Sequence, residues 1–173
     1  MKTLVIHPKD ITTDFLSVVY SDINCTLIRN NLSHAELKKS IKDHDRIIFL
    51  GHGTEYGLIG FGKILIGSEL VYLLREKKNN IYIWCNADKF VKKYELNGFV
   101  TGMIISEYEE AIDYNIHCNY ENIEVSNEIF AFCLKESIKY DPPKMLEKMS
   151  NDYGGHISSN NVMEFNSKNL FCY

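Results

Sequence analysis

The sequence lacks any long hydrophobic run. Its amino-terminal segment, MKTLVIHPKD, holds one short apolar run before His7 and Pro8 interrupt it, whereas a secretory signal needs about 7–15 consecutive apolar residues. No other segment approaches the roughly 18 apolar residues that are typical of a membrane-spanning helix. We therefore expect a cytoplasmic protein with no membrane partner.

Proline and positive charge are also scarce. The chain has only 3 prolines and 10 glycines among 173 residues, against 11 tyrosines and 9 phenylalanines, a composition that excludes a disordered or fibrous protein. Its formal net charge is −4, and proteins that bind phosphate backbones usually carry a positive charge, so we expect no nucleic-acid partner. The length predicts a single domain over residues 1–173.

Paired cysteine motifs are absent as well. The 5 cysteines are spread along the chain and form no CxxC or CxxH motif, which excludes a zinc knuckle and a thioredoxin motif. The spacing of the other metal-ligating residues is not diagnostic either; these are His52, Cys85, His117, Cys118 and His156. We therefore expect no metal and no cofactor, and free thiols in a reducing compartment.

Short β-rich runs alternate with helical patterns along the chain. The predicted strands are Thr3–His7, Cys25–Arg29, Arg46–Leu50, Ile81–Cys85 and Phe99–Ser106. The predicted helices are Asp10–Tyr20, Ser33–Asp43, Ser68–Lys78, Asp88–Leu96, Glu107–Tyr114, Ile123–Tyr140 and Pro143–Asn151, with residues 152–173 as an irregular tail. This alternation predicts an α/β fold, a three-layer α/β/α sandwich around a mostly parallel sheet.

Functional sites in such sheets lie beyond the carboxyl ends of the strands. Those ends correspond here to His7–Asp10, Gly51–Gly53, Cys85–Asp88 and Ser106–Glu110. If the third and fourth strands are neighbours, their ends lie about 5 Å apart. His52 and Cys85 are then close enough to share a reaction centre.

A histidine beside a cysteine is a pair suited to nucleophilic catalysis. The thiolate is the attacking species, and imidazole can accept the thiol proton and later pass a proton to a leaving amine. The backbone N–H groups of Gly53 and Cys85 are candidate donors to an oxyanion. The sequence therefore predicts His52, Cys85 and Gly53 as catalytic residues.

This pattern resembles that of the clan CD cysteine peptidases, which include caspases, metacaspases, gingipains, legumains and the bacterial CHAT domains. The resemblance rests on IIFLGHG at residues 47–53 and IYIWC at residues 81–85, an apolar strand ending in His-Gly followed by one ending in Cys. It implies a caspase-like sheet, with His52 as general acid/base, Cys85 as nucleophile and the Gly53 amide as an oxyanion donor. It also implies a peptide or protein as substrate.

The resemblance further implies a pocket for the substrate P1 side chain near the ends of the first and fifth strands. Acidic residues are common there: Asp10, Asp14, Glu107, Glu109 and Glu110. We predict Asp10, Glu107 and Asn86 as substrate-binding residues, and carboxylates favour Arg or Lys at P1. Alternatively, Asp10 caps the first helix and Glu107–Glu110 form a solvated helix start.

The residues after Cys85 depart from the caspase pattern, since Asn86-Ala87 replace its Arg-Gly. A second hypothesis is therefore a non-enzymatic binding or regulatory domain on the same fold. Its small ligand would bind the Gly-rich segment Gly51–Gly67. Within that segment, residues 57–64 match the P-loop spacing, but Ile64 replaces the Ser or Thr that binds Mg²⁺. The oligomeric state is left open.

Overall fold

The computed structural model describes residues 1–156 and 160–173. In the described part the strands are β1 (Thr3–Ile6), β2 (Cys25–Ile28), β3 (Arg46–Leu50), β4 (Gly53–Thr54), β5 (Gly57–Gly60), β6 (Lys63–Ile66), β7 (Ile81–Ile83), β8 (Phe99–Thr101) and β9 (Leu170–Cys172). The helices are α1 (His34–Lys42), α2 (Val71–Leu74), α3 (Ala87–Lys93), α4 (Tyr108–Asp113), α5 (Tyr120–Ser137), α6 (Pro142–Asp152) and α7 (Asn161–Ser167). Short 3-10 helices cover Ile11–Tyr20, Ser68–Leu70 and Gly154–His156.

Six strands form the central sheet in the order β2-β1-β3-β7-β8-β9. The first five are parallel, and β9 pairs with β8 in the antiparallel direction. The predicted α/β fold with a mostly parallel sheet is therefore confirmed. Because the chain adds β2 on one side of β1 and β3 on the other, the strand order reverses between β1 and β3, and such a reversal opens a ligand crevice at the carboxyl ends.

Two apolar clusters cover the two faces of the sheet. Strand β3 is buried along its whole length; Ile47 and Phe49 face one cluster, while Ile48 and Leu50 face the other, as the alternation of side chains along a strand requires. Helices α1, α2 and α3 pack on the first face. The second face is covered by α5, α6 and the 3-10 helix Ile11–Tyr20. The three predicted layers are thus present, and each face of the sheet is covered by apolar side chains.

The Gly-rich segment forms a small antiparallel sheet of β4, β5 and β6. Gly57 has φ +139°, and a Cβ atom there would lie 1.8 Å from the carbonyl oxygen of Ile66. Only glycine fits such a conformation and such a close approach of two backbones. The spacing that matches a P-loop therefore belongs to β5, a tight turn and β6.

The irregular tail predicted for residues 152–173 is wrong in the described residues, since the segment holds α7 and β9; residues 157–159 lie outside the described residues. Asn160 caps α7 by accepting hydrogen bonds from the N–H groups of Val162 and Met163. Asn166 is buried and bonds both backbone groups of Ile105. Asn160 therefore caps a helix, and Asn166 joins that helix to the backbone of Ile105.

The strands and the first helix also differ from the prediction in detail. Strands β7 and β8 end at Ile83 and Thr101, so that Cys85 and Ser106 lie in the turns that follow them. Residues 11–20 form a 3-10 helix instead of an α-helix. No helix among the described residues combines the length and the apolar character that a membrane crossing requires.

Candidate active site

His52 lies in the turn between β3 and β4, and its backbone is held from two sides. The preceding residue, Gly51, donates its N–H to the carbonyl oxygen of Ile83 at 3.0 Å, which ties the turn to β7. The carbonyl oxygen of His52 accepts the N–H of Ile59 at 2.8 Å, which ties it to β5. These two bonds fix the backbone of His52, and hence the position from which its half-buried side chain extends.

The side chain of His52 is bonded to the segment that follows β1. Its Nε2 atom lies 2.6 Å from Thr12 Oγ1. Asp10 Oδ1 accepts both the hydroxyl of Thr12 at 2.9 Å and the N–H of Thr12 at 3.0 Å. These two bonds hold the pKa of Asp10 below its usual range, and the bond from the backbone N–H has the larger effect. Asp10 caps the 3-10 helix, so the alternative for this residue is confirmed.

Cys85 lies in the turn between β7 and α3, and its thiol donates to the carbonyl oxygen of Ile104 at 3.4 Å. Desolvation, followed by the negative charge of Glu110, raises the pKa of the Cys85 thiol to about 11. The thiol is therefore protonated at neutral pH. A preformed thiolate–imidazolium pair is not the resting state of this site.

The raised pKa predicts slow alkylation of Cys85 at neutral pH. The rate of modification by iodoacetamide should increase about tenfold per pH unit up to about pH 11, because only the thiolate reacts. Peptide mass spectrometry on the folded protein between pH 7 and 10.5 measures this rate for each cysteine. A rate for Cys85 that reaches its plateau below pH 9 would contradict the burial described here.

One narrow cleft contains both predicted catalytic side chains. His52 and Cys85 line it together with Thr13, Ile104 and Phe130. Its free volume is about 30 Å³, which is room for one or two water molecules. A second hollow of about 100 Å³ adjoins it at His52 and extends toward Asp10 and Phe61. The structure thus brings the predicted pair to one site, in a form too narrow for a substrate side chain.

Gly53 begins β4 and packs directly against Trp84. A Cβ atom at Gly53 would lie 2.2 Å from Cδ1 of the indole. Because His52 and Ile59 form a hydrogen-bonded pair of the β4–β5 ladder, Gly53 and Leu58 form the next, non-hydrogen-bonded pair. The N–H of Gly53 therefore takes no part in the β4–β5 ladder, but Gly53 does not line the cleft that contains His52 and Cys85, so its oxyanion role stays a prediction. Trp84 itself is buried in the core.

Asn86 has a left-handed backbone, with φ +66°, at the start of α3. Its N–H donates to the carbonyl oxygen of Gly102 at 3.0 Å, which joins the turn after β7 to the end of β8. Asparagine tolerates this conformation better than most residues with a side chain. Asn86 is half-buried, and its contact with a substrate stays a prediction.

Replacing Asn86 with alanine should destabilise the protein by about 1 kcal/mol, because alanine pays the full penalty for a left-handed backbone. Asn86→Gly should leave the free energy of unfolding nearly unchanged, since glycine adopts this conformation freely. Urea unfolding followed by circular dichroism compares the three proteins. Equal stability of the alanine and glycine variants would contradict the assigned backbone.

The acidic residues have separate roles. Glu110 Oε2 accepts the N–H groups of Ser106 at 2.8 Å and Glu107 at 3.1 Å at the start of α4. The segment is therefore a helix start, as the alternative had it, although Glu107 and Glu110 are half-buried instead of solvated. Asp14 is bonded to Arg29. Desolvation and then the neighbouring Glu110 raise the pKa of Glu107, and the nearby His52 opposes that rise. Glu107 therefore remains close to the candidate site.

Sequence reasoning missed Thr12, Thr13 and Ile104. Asp10 followed by Thr12 is a local capping signal that could have drawn attention to this turn, but the bond from Thr12 to His52 joins residues 40 positions apart.

His7, which also follows β1, is fully buried and lies near Tyr20 Oη at 3.1 Å and Thr13 Oγ1 at 3.3 Å. Burial lowers the pKa of His7 to about 4, so this residue is a core histidine.

A larger cavity, of about 710 Å³, lies between α5 and the segment 151–156 and contains none of the predicted site residues. Across residues 1–156 and 160–173, no group of three or more His, Cys, Asp or Glu side chains is arranged to hold a metal ion.

No protein-family model, curated protein or solved structure matches the chain. Inference about function therefore depends on the residues of the site.

Proposed function

We propose that the chain is a cysteine-dependent hydrolase, a peptidase on a caspase-like sheet, with Cys85 as nucleophile and His52 as general acid/base. One observation carries the proposal: His52 and Cys85 line a single cleft, at the carboxyl ends of the neighbouring parallel strands β3 and β7. The adjacent reversal of strand order supports it, since ligands of open α/β sheets bind there.

The reaction begins from a neutral thiol, because the pKa of Cys85 is raised to about 11. His52 takes the thiol proton as the sulfur attacks the substrate carbonyl carbon, and the N–H groups of Gly53 and Cys85 hold the resulting oxyanion. His52 then gives that proton to the leaving amine, which departs and leaves a thioester on Cys85. Water attacks the thioester with His52 as base, and this step releases the acid and restores the thiol.

The charges around the cleft favour a cationic substrate side chain. Desolvation and then Glu110 raise the pKa of Glu107, with smaller contributions from Glu109 and Asp10, while His52 lowers it, so several carboxylates lie near this edge. A guanidinium or ammonium group relieves such crowding and forms charge-assisted hydrogen bonds with carboxylates. We therefore propose Arg or Lys at P1, with Glu107 and Asp10 closest to the cation.

Hydrolysis of fluorogenic peptide pools with Arg, Lys, Asp or Leu at P1 tests the proposal. The wild-type protein should cleave the Arg and Lys pools, Cys85→Ala should abolish this cleavage, and Cys118→Ala should not affect it. Cleavage that survives in Cys85→Ala would show that the activity has another source. Cleavage confined to the Asp or Leu pool would support the nucleophile and overturn the proposed specificity.

A non-enzymatic binding or regulatory domain is the second candidate, and two observations favour it. The thiol of Cys85 is held as a protonated donor to Ile104, and the cleft has a free volume of only about 30 Å³. This candidate predicts that no peptide pool is cleaved and that Cys85 gains no reactivity toward peptide-based electrophiles.

A further inference from the structure

A continuous chain of hydrogen bonds leads from the surface to the imidazole of His52. Asp10 is exposed, while Thr12 and His52 are half-buried. The links are 2.9 Å from Thr12 Oγ1 to Asp10 Oδ1 and 2.6 Å from Thr12 Oγ1 to His52 Nε2. The O···O distance is typical of a hydroxyl–carboxylate bond, and the N···O distance lies just below the usual N–H···O range of about 2.7–3.2 Å.

The chemistry of the three groups determines where the protons lie. An ionised carboxylate only accepts hydrogen bonds, so the hydroxyl hydrogen of Thr12 lies on the bond to Asp10. The Thr12 oxygen then offers a lone pair to His52, and the hydrogen of that second bond has to come from Nε2. A neutral imidazole carries one N–H, so Nδ1 is left with a free lone pair.

The bond to Thr12 leaves Nδ1 as the only nitrogen of the neutral ring that can accept the thiol proton. Strand β1, which leads into Thr12, lies on one side of β3, and β7, which leads into Cys85, lies on the other. The bond to Thr12 occupies the nitrogen on the β1 side. The two residues that flank the imidazole in this proposal, Thr12 and Cys85, thus follow strands on opposite sides of β3.

Resting on the function proposed above, we propose that Thr12 and Asp10 are positioning residues that hold His52 as the Nε2–H tautomer, so that Nδ1 is the base that deprotonates Cys85. The carboxylate acts only through the hydroxyl. Thr12 orients the ring and selects its tautomer, and neither residue needs to touch the reacting atoms.

The tautomer can be measured without any substrate. In a long-range ¹H–¹⁵N correlation spectrum of the full-length labelled protein, at a pH where the imidazole is neutral, His52 should show Nε2 protonated; the His52→Ala spectrum assigns the signal. The Nε2–H proton should be protected from solvent exchange in wild type and in Thr12→Ser, which keeps the hydroxyl. Thr12→Val, which replaces the hydroxyl with a methyl group, should lose that protection.

A kinetic measurement tests the consequence for catalysis. Thr12→Val should lower kcat for the preferred peptide about 100-fold, with KM little changed, because misplaced reacting groups cost about that much. Thr12→Ser should restore the wild-type kcat. A purely structural role for Thr12 would instead lower the melting temperature of both variants and leave kcat of the folded protein unchanged.

The two proposals fail separately. An Nδ1–H tautomer in wild type, or unchanged exchange protection in Thr12→Val, would overturn the positioning role even in an active enzyme. If the wild-type protein cleaves no peptide, the peptidase proposal fails, and the tautomer and the exchange protection still decide whether Thr12 and Asp10 orient His52.

Discussion

Replacing His52 with alanine should lower kcat/KM for peptide hydrolysis by about 10²- to 10⁴-fold, the usual contribution of a general acid–base residue. The loss should be at the upper end of that range. Because the pKa of Cys85 is raised to about 11, little thiolate exists at neutral pH without a base. The measurement is steady-state hydrolysis of the preferred fluorogenic peptide at pH 7.5.

His117→Ala is the matched control, since it removes an imidazole that is exposed and lies outside the cleft. This variant should hydrolyse the peptide at the wild-type rate. Circular dichroism and the melting temperature verify that both variants are folded. A folded His52→Ala protein with wild-type kcat/KM would remove His52 from the mechanism.

Replacing Gly53 with alanine should destabilise the protein by at least the roughly 1–3 kcal/mol that overpacking usually costs. The added methyl carbon would lie 2.2 Å from Cδ1 and 2.5 Å from Cγ of Trp84, and 2.7 Å from the carbonyl oxygen of Gly57. Trp84 is 2% exposed and packs against Phe49, Tyr82 and Phe90, so a shift of the indole would disturb these aromatic contacts. Guanidinium chloride unfolding measures the change.

Gly155→Ala serves as the control for this substitution, because a Cβ atom there meets nothing within 4 Å. Within the part of the chain that the structure describes, this position is open, so we expect its free energy of unfolding to stay close to that of wild type. If Gly53→Ala were as stable as Gly155→Ala, the contact between β4 and the indole would be looser than the geometry shows. A stable but inactive Gly53→Ala protein would instead assign this position to the site.

The sheet could be predicted from the sequence where a strand is long and continuously apolar. Arg46–Leu50 has the bounds that its pattern indicated, because a strand covered on both faces is apolar at nearly every position. Leu170–Cys172 offered no such signal, since three residues are too few to show a period. That strand forms because Phe99–Thr101 provides an antiparallel partner, a contact that no local pattern encodes.

The candidate site divides in the same way. The positions of His52 and Cys85 follow from a general rule, that parallel strands present the residues after their carboxyl ends at one edge. The bond from His52 to Thr12 does not follow from that rule, because it depends on how the turn after β1 packs across the sheet edge. The raised pKa of Cys85 was equally out of reach, since it depends on the burial of the thiol in the folded chain and on the charge of Glu110.

The central claim is that His52 and Cys85 act together on a peptide. The most direct measurement is the rate at which an acyloxymethyl ketone peptide with Lys at P1 labels Cys85 at pH 7.5, by mass spectrometry, in wild type and in His52→Ala. The reference is the iodoacetamide labelling rate of the same thiol. We predict that the peptide reagent modifies Cys85 far faster than Cys118, although iodoacetamide does not, and that His52→Ala removes this advantage. Equal labelling of Cys85 and Cys118 by the peptide reagent, or equal labelling of Cys85 in both proteins, would contradict the claim.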